Sequence, residues 1–175
     1  MKLIITPVNQ FFWFLVTVIL ILVSCEKQNT VESSVVINEL LAVNKTVAAD
    51  QDGEFDDWIE MYNNGSVNLD LAGYYLSDNK SRLTKWKFPP GSIINAGSFL
   101  IIWADEDTIQ NGLHANFKLS SEGESLYFIT PDKLIIDKVS YSEQTFQLSY
   151  SRIPDGTGDF IWNTPSFNAS NKIPK

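Results

Sequence analysis

Residues 99–103 read FLIIW, and this uninterrupted apolar run decides the fold class. Successive side chains of a strand point to opposite faces, so the run predicts a central strand that is buried on both faces. By contrast, Trp86 and Phe88 alternate with Lys85 and Lys87, which predicts a strand with one face in solvent. Helical periodicity is almost absent elsewhere, so we expect an all-β protein.

Further short apolar or alternating runs lie on both sides of this segment and are separated by turn-forming residues. The predicted strands are Val35–Ala42, Asp57–Asn63, Gly73–Ser77, Thr84–Phe88, Phe99–Ala104, Ser125–Ile129, Leu134–Tyr141 and Leu148–Arg152. Phe88–Gly91 is a clear turn, because its two prolines cannot donate to a ladder and its glycine can reverse the chain. About eight strands with short turns predict a sandwich of two sheets around one core.

The chain begins with an export signal, MKLIITPVNQFFWFLVTVILILVS. Lys2 precedes a run that is strongly apolar from Phe11 to Val23. As a helix this run would rise about 20 Å, which is shorter than a hydrocarbon core of about 30 Å. A cleaved signal peptide over residues 1–24 is therefore favoured over an uncleaved membrane anchor.

Leu22-Val23-Ser24-Cys25 resembles the lipobox of bacterial lipoproteins, which implies cleavage before Cys25 and acylation of its thiol, for example with palmitate. Cys25 is the only cysteine, so no disulfide can form within the chain. The alternative is a chance cysteine in an ordinary signal peptide. A lipidated Cys25 would make the membrane a stable partner of the protein. The expected location is the cell envelope, with the outer membrane favoured and the orientation left open.

Composition limits the rest of the chain to one acidic domain. Without residues 1–24 the protein has 151 residues and a formal net charge of −9, which argues against nucleic acid as a partner. Residues 25–34 are polar and predict a flexible tether. Residues 35–155 are long enough for one domain, and we expect residues 156–175 to form a C-terminal extension.

Six segments, in the expected order, resemble the bacterial form of the lamin tail domain family. They are Val36–Leu40, Asp57–Asn63, Leu69–Asp78, Trp86–Gly91, Ala96–Ala104 and His114–Ser120. The resemblance implies an immunoglobulin-like β-sandwich that has no catalytic residues and serves as an interaction module. The nuclear-envelope role of animal lamins is not carried over, because the chain shows no heptads for a coiled-coil rod.

The acidic loop over residues 50–57, DQDGEFDD, is the densest group of oxygen ligands. Calcium prefers six to eight oxygens, so Asp50, Asp52, Asp56 and Asp57 are candidate ligands of a structural calcium ion. An EF-hand is excluded, because placing Gly53 at the sixth loop position puts Ala48 and Ile59 at ligand positions. The favoured interpretation is a solvated loop with no cofactor, in which Asp57 and Glu60 face outward.

Catalytic arrangements find little support in the sequence. Asp57 and Glu60 are three residues apart on a predicted strand, so they point to opposite faces and cannot act as a glycosidase pair. His114 is the only histidine and has no partner set for zinc or for a nucleophile elbow. We expect it to hydrogen-bond a loop.

The aromatic residues suggest either a core or a sugar-stacking surface. Trp58, Trp86 and Trp103 lie in strand patterns and are expected to be buried. One of Tyr74 and Tyr75 must face outward, which makes this pair a candidate binding patch for sugar or peptide. Trp162 is assigned neither to the core nor to the sugar-stacking surface.

Two functions follow from the sequence. The first is a non-catalytic, envelope-anchored module that binds an envelope protein or a polysaccharide. The alternative is a small metal-dependent hydrolase that uses the acidic loop Asp50–Asp57.

Overall fold

The computed structural model describes residues 33–174, which form an all-β fold. Its strands are β1 (Val35–Leu41), β2 (Trp58–Asn63), β3 (Leu69–Asp70), β4 (Tyr75–Ser77), β5 (Trp86–Lys87), β6 (Ile93–Ile94), β7 (Phe99–Ala104), β8 (His114–Ala115), β9 (Gly123–Ile129), β10 (Ile135–Ser142), β11 (Ser149–Ile153) and β12 (Asp159–Asn163). Within these residues no helix has the length and apolar character needed to span a bilayer. The predicted signal peptide, Cys25 and most of the tether lie outside the described residues.

Two sheets form the sandwich. The six-stranded sheet has the order β12-β11-β1-β2-β7-β8, and the four-stranded sheet has the order β10-β9-β4-β5. All pairs in them are antiparallel except β7 with β8, and β3 and β6 form a small separate ribbon. The predicted two-sheet sandwich is therefore confirmed.

The core lies between the two sheets. Leu40 and Ile59 from the six-stranded sheet are fully buried, as are Leu76 and Phe128 from the four-stranded sheet. Each such side chain contributes about 1.5–3 kcal/mol through its removal from water. The chain therefore has a core of ordinary size without any disulfide.

The apolar run at residues 99–103 lies in β7, an inner strand between β2 and β8. Only its second half, Ile102–Ala104, is buried, whereas Phe99–Ile101 is half-buried. β8 is two residues long and pairs only with Trp103 and Ala104, so within residues 33–174 Phe99–Ile101 has no neighbouring strand on that side. Burial on both faces is thus confirmed for half of the predicted strand.

The outer face of the six-stranded sheet is also covered near its middle. Leu41, Trp58 and Trp103 form a second buried cluster there, against which Phe167 packs. The Phe167 ring centroid lies 5.3 Å from that of Trp58 and 5.5 Å from that of Trp103. Chain segments outside the sheets therefore complete the packing of this face.

All eight predicted strands are present, but the sequence missed four others. Three of these, β3, β6 and β8, have two residues each and are too short to show an alternating pattern. The fourth, β12, lies in the predicted C-terminal extension and pairs with β11 over its whole length. The sandwich therefore continues past residue 155. The inward side chains of β12 pack on those of the neighbouring strand.

Candidate functional site

Three half-buried aromatic side chains line up on β11 and β12, and we call Tyr150, Phe160 and Trp162 the aromatic platform. Tyr150 lies opposite Leu40 of the core on one side and opposite Trp162 on the other. Directly paired residues share a face of the sheet, so the platform continues the core-facing side of the six-stranded sheet. β10 is an edge strand of the four-stranded sheet, and the platform residues pack against the border of the main core.

The platform rings contact one another. Tyr150 stacks on Phe160 with centroids 5.2 Å apart, and its ring is tilted by 46° against that of Trp162 with centroids 4.9 Å apart. On the inner side, Tyr150 also lies 6.5 Å from the ring of Tyr141 on β10. Contacts of this kind add about 0.5–1.5 kcal/mol to the burial of each pair and hold the rings in one arrangement.

Arg152 fixes the end of the platform. Its guanidinium lies 4.4 Å from the Phe160 ring centroid and donates two hydrogen bonds, of 2.8 and 2.9 Å, to the carboxylate of Asp137 on β10. It also donates to the backbone oxygens of Ile37 and Gly158. Both bonds to Asp137 come from Nη2, while Nε and Nη1 donate to the two backbone oxygens, so the guanidinium is held in place over the ring.

The position of the platform suits binding. β12 is the edge strand of the six-stranded sheet, and Ile161 on its opposite face is also exposed. Half-buried aromatic rings beside a sheet edge can stack on a sugar ring or an apolar side chain. The alternating pattern of these side chains, Tyr150-x-Arg152 and Phe160-x-Trp162, is present in the sequence. It was not recognised, because residues 156–175 were predicted to be an extension and not a strand.

The comparison with family models gives a match to the lamin tail domain over residues 28–143. The chain belongs to the lamin tail domain family. No significant match was found among curated proteins. The match ends within the loop after β10, so β11, β12 and the platform of this lamin tail domain lie outside the matched residues.

The predicted tryptophan burial in this lamin tail domain is confirmed. Trp58 is fully buried, and Trp86 and Trp103 are 8% and 7% exposed, so none of them offers a ring to a ligand. Tyr74 stacks on Phe128 with centroids 5.6 Å apart and packs against the core. Tyr75, its neighbour, is therefore the outward-facing member of the predicted pair.

The acidic loop brings together only part of the predicted calcium set. Carboxylate oxygens of Asp50, Glu54 and Asp56 lie within 4.8 Å of one another, whereas Asp52 and Asp57 are not in this group. The Oδ2 atoms of Asp50 and Asp56 are shielded from solvent and accept no hydrogen bond from the described residues. Burial and the nearby charge of Asp105 raise the pKa of Asp56. The calcium site stays a prediction.

Asp57 lines a separate cavity of about 260 Å³ together with Asp56, Lys45 and Lys118. Burial raises the pKa of Asp57 to about 7, although the backbone amides of Asn44 and Leu119 oppose the shift. The expected solvated carboxylate is thus half-buried. An acid with this pKa can exchange protons near neutral pH, which is the one feature of the loop that suits catalysis.

His114 has a structural set of partners, as expected. Its Nδ1 lies 2.5 Å from Asp105 Oδ2, and its Nε2 lies 2.8 Å from the Gln51 amide nitrogen. Nε2 also lies 3.1 Å from the Asn111 carbonyl oxygen, to which the Gln51 amide donates. No hydroxyl group among residues 33–174 hydrogen-bonds this histidine, so these contacts do not assemble a nucleophile.

The position of Glu60 contradicts the sequence-based expectation. It was expected to face solvent, but it is fully buried on the outer face of the six-stranded sheet, paired with the equally buried Glu39. The C-terminal strap, residues 164–171, covers both. Alternation along β2 gave no sign of this, because the strap is distant in sequence and follows the last strand.

Backbone and side-chain groups of the strap donate hydrogen bonds to these two acids. Ser166 N–H and Oγ donate to Glu39 at 3.1 and 2.8 Å, and Asn168 N–H donates to Glu60 Oε2 at 2.7 Å. Asn38 is the extra residue of a β-bulge in β1, and its amide donates to Glu60 Oε1 at 3.1 Å and to Asp155 at 3.0 Å. The bulge at Asn38 and the C-terminal strap therefore supply hydrogen bonds to three carboxyl groups, those of Glu39, Glu60 and Asp155.

Burial raises the pKa of Glu39, and burial with the charge of Glu39 raises the pKa of Glu60 to about 8. Some carboxyl groups have a higher pKa in the folded state than in the unfolded state. Such a group stabilises the folded state most when the pH is below its pKa in the unfolded state. This contribution is lost as the pH rises through the folded pKa. The acids under the strap should therefore make this lamin tail domain less stable in alkaline solution.

Between pH 5 and pH 9, we expect the free energy of unfolding to fall by roughly 6 kcal/mol because Glu39, Glu60 and Asp57 ionise. Glu60→Gln should reduce this fall by about 3–4 kcal/mol, and it should lower stability at pH 5 because an amide NH₂ then faces a donor. Urea unfolding at each pH measures both effects. Glu122→Gln, at an exposed position, is the control. Equal pH slopes in the wild type and Glu60→Gln would contradict the assignment.

The acidic loop yields a second prediction. In a chelator, Asp56→Asn should raise the melting temperature by about 1–2 °C, because it removes one charge from a like-charged cluster. Millimolar calcium would raise the wild-type value further if the cluster binds the ion, and it would leave Asp56→Asn unchanged. Differential scanning calorimetry measures both. A calcium shift below about 1 °C in the wild type means that the acids form a solvated surface.

Proposed function

We propose that this lamin tail domain is a lipid-anchored interaction module of the cell envelope and that its aromatic platform binds a polysaccharide. Its family and its sandwich support a non-catalytic interaction module. The observation that carries the finer proposal is the set of Tyr150, Phe160 and Trp162, which are half-buried on one face beside an open sheet edge.

A polysaccharide suits this surface for a chemical reason. The apolar faces of pyranose rings match flat aromatic surfaces in size, and their hydroxyl groups stay in water at the rim. Ser149 and Ser151 point away from the platform, and the charge of Arg152 is neutralised by Asp137. The platform therefore offers apolar area without an unpaired charge, which favours a neutral sugar over an ionic group.

The lipid anchor is the part of the proposal that the sequence supports. Cys25 ends the apolar run, and the first described residue is Ser33. Even a fully extended chain between them spans no more than roughly 28 Å. An acylated Cys25 would therefore keep the domain close to the bilayer surface.

Cys25→Ser should abolish incorporation of labelled palmitate and release the protein from the membrane fraction, because the thiol carries the lipid. The double variant Cys25→Ser/Ser33→Cys is the matched control, since it restores a thiol away from the lipobox and should also stay unlabelled. Metabolic labelling and fractionation measure the outcome. Membrane retention and labelling of Cys25→Ser would contradict the anchor.

Trp162→Ala should weaken binding to neutral polysaccharide from the envelope of the producing cell by about tenfold, because it removes one stacking surface. Phe99→Ala is the control, since Phe99 is also half-buried and stacks on Tyr62 at 4.8 Å away from the platform. Isothermal titration of the detergent-solubilised lipoprotein measures the affinities.

Equal losses in the two variants would argue against the platform. Hydrolysis of the polymer by the wild type, lost in Asp57→Asn, would overturn the non-catalytic role and favour the metal-dependent hydrolase instead.

A further inference from the structure

The β4–β5 hairpin is the basic part of an acidic protein. Residues 75–87 contain Lys80, Arg82, Lys85 and Lys87 against a single acid, Asp78, so the hairpin has a formal net charge of +3. The whole chain has a net charge of −8, so the rest of it has a charge of −11. Such a separation of charge is a local attraction for anions.

One of the four cations is used internally. Lys85 Nζ lies 2.6 Å from Asp78 Oδ2 and 5.2 Å from the Phe117 ring centroid. Lys80, Arg82 and Lys87 are exposed, and none of them forms an ion pair with another residue of the described part of the chain. Three free positive charges therefore project from one hairpin.

The hairpin loop is held in shape by its own polar groups. Ser77 Oγ accepts from the Asn79 N–H at 3.0 Å and donates to the Arg82 carbonyl at 2.8 Å. Asn79 Oδ1 accepts from the Ser81 N–H at 2.8 Å, and the Arg82 N–H donates to the Asn79 carbonyl at 3.0 Å. A loop that is ordered before binding loses less conformational freedom when a ligand arrives.

Tyr75 on β4 and Lys138 on β10 extend the basic surface across the outer face of the four-stranded sheet. Leu76 is buried, so Tyr75 points to the outer face, where it lies opposite Lys87 with the ammonium 6.0 Å from its ring centroid. Lys138 on β10 lies on the same face, 5.6 Å from the Tyr127 ring. β5 and β10 are three strand spacings apart, roughly 14 Å, which is a length along which a chain molecule can lie.

We propose that this basic surface, formed by Lys80, Arg82, Lys87, Lys138 and Tyr75, binds an acidic polysaccharide whose carboxylates pair with the cations. The proposal depends on the proposed envelope location for its setting but not on the aromatic platform. The half-buried ring of Tyr75 and the bonded hydroxyls of Ser125 and Ser140, 2.7 Å apart, suit sugar units between the charges.

The charge distribution favours a single flexible polymer over broader anions. A bilayer surface or a nucleic-acid duplex is wider than the hairpin and would bring its phosphates against the rest of the protein, and the chain outside the hairpin has a formal net charge of −11. A polysaccharide chain can follow the hairpin and the outer face alone. Charge complementarity therefore selects this partner.

The test uses the full-length lipoprotein in non-ionic detergent and two polymers with the same backbone. Polygalacturonate should bind, and its fully methyl-esterified form, which lacks the charges, should not. Lys80→Gln/Arg82→Gln should weaken binding at least fivefold and flatten the dependence of log K on log salt. Lys45→Gln/Lys172→Gln removes the same charge at exposed positions elsewhere and should change affinity less than twofold.

Three results would overturn the proposal: equal losses in the two double variants, equal binding of the esterified polymer, or equally tight binding of phosphatidylglycerol vesicles or duplex DNA. Trp162→Ala, measured in parallel, should bind polygalacturonate normally. Loss of acidic-polymer binding in Trp162→Ala would assign that binding to the platform and refute a separate basic surface. Failure of Trp162→Ala to affect neutral polysaccharide would count only against the proposed function.

Discussion

Burial of two carboxylates under the C-terminal strap is the constraint on which the arrangement of the six-stranded sheet depends. Glu39 and Glu60 face each other across β1 and β2 with no solvent exposure. A buried carboxylate without hydrogen-bond donors is far too costly to persist. Asn38 and Ser149 supply some of those donors, and the chain beyond β12 supplies the others from Ser166 and Asn168 as it returns across the outer face.

The path of the strap across the outer face also determines the second apolar cluster and the aromatic platform. Phe167 lies between the two strap residues that bind the acids, and it closes the second apolar cluster over Trp58 and Trp103. β12 must also be in place for the chain to reach this face, and its position beside β11 creates the platform of Tyr150, Phe160 and Trp162. The polar strap contacts and the aromatic surface are therefore two results of the same chain path.

The sequence predicted what depends on local pattern and missed what depends on distant chain segments. Alternation identified β5, with Trp86 inward and Lys87 outward. The structural role of His114 was expected from the absence of a ligand or nucleophile set in the sequence, but its partners Asp105 and Gln51 were not predicted. By contrast, Glu60 looks like a solvent-facing residue of β2 until residues more than one hundred positions away cover it. The residue pattern of one strand does not show whether a distant segment covers its outer face, because burial of a sheet face depends on tertiary packing.

The position of β1 has a mechanical consequence. The chain enters the domain through β1, where the Asn64 N–H donates to the Ser34 carbonyl at 2.8 Å. β1 is bonded on one side to β2 and on the other to β11. If Cys25 is fixed in a membrane, a pull on the domain enters along the axis of this strand. Its ladders then resist in shear, with many hydrogen bonds loaded together, instead of opening one bond at a time. A tethered domain built in this way is suited to withstand traction from a large ligand.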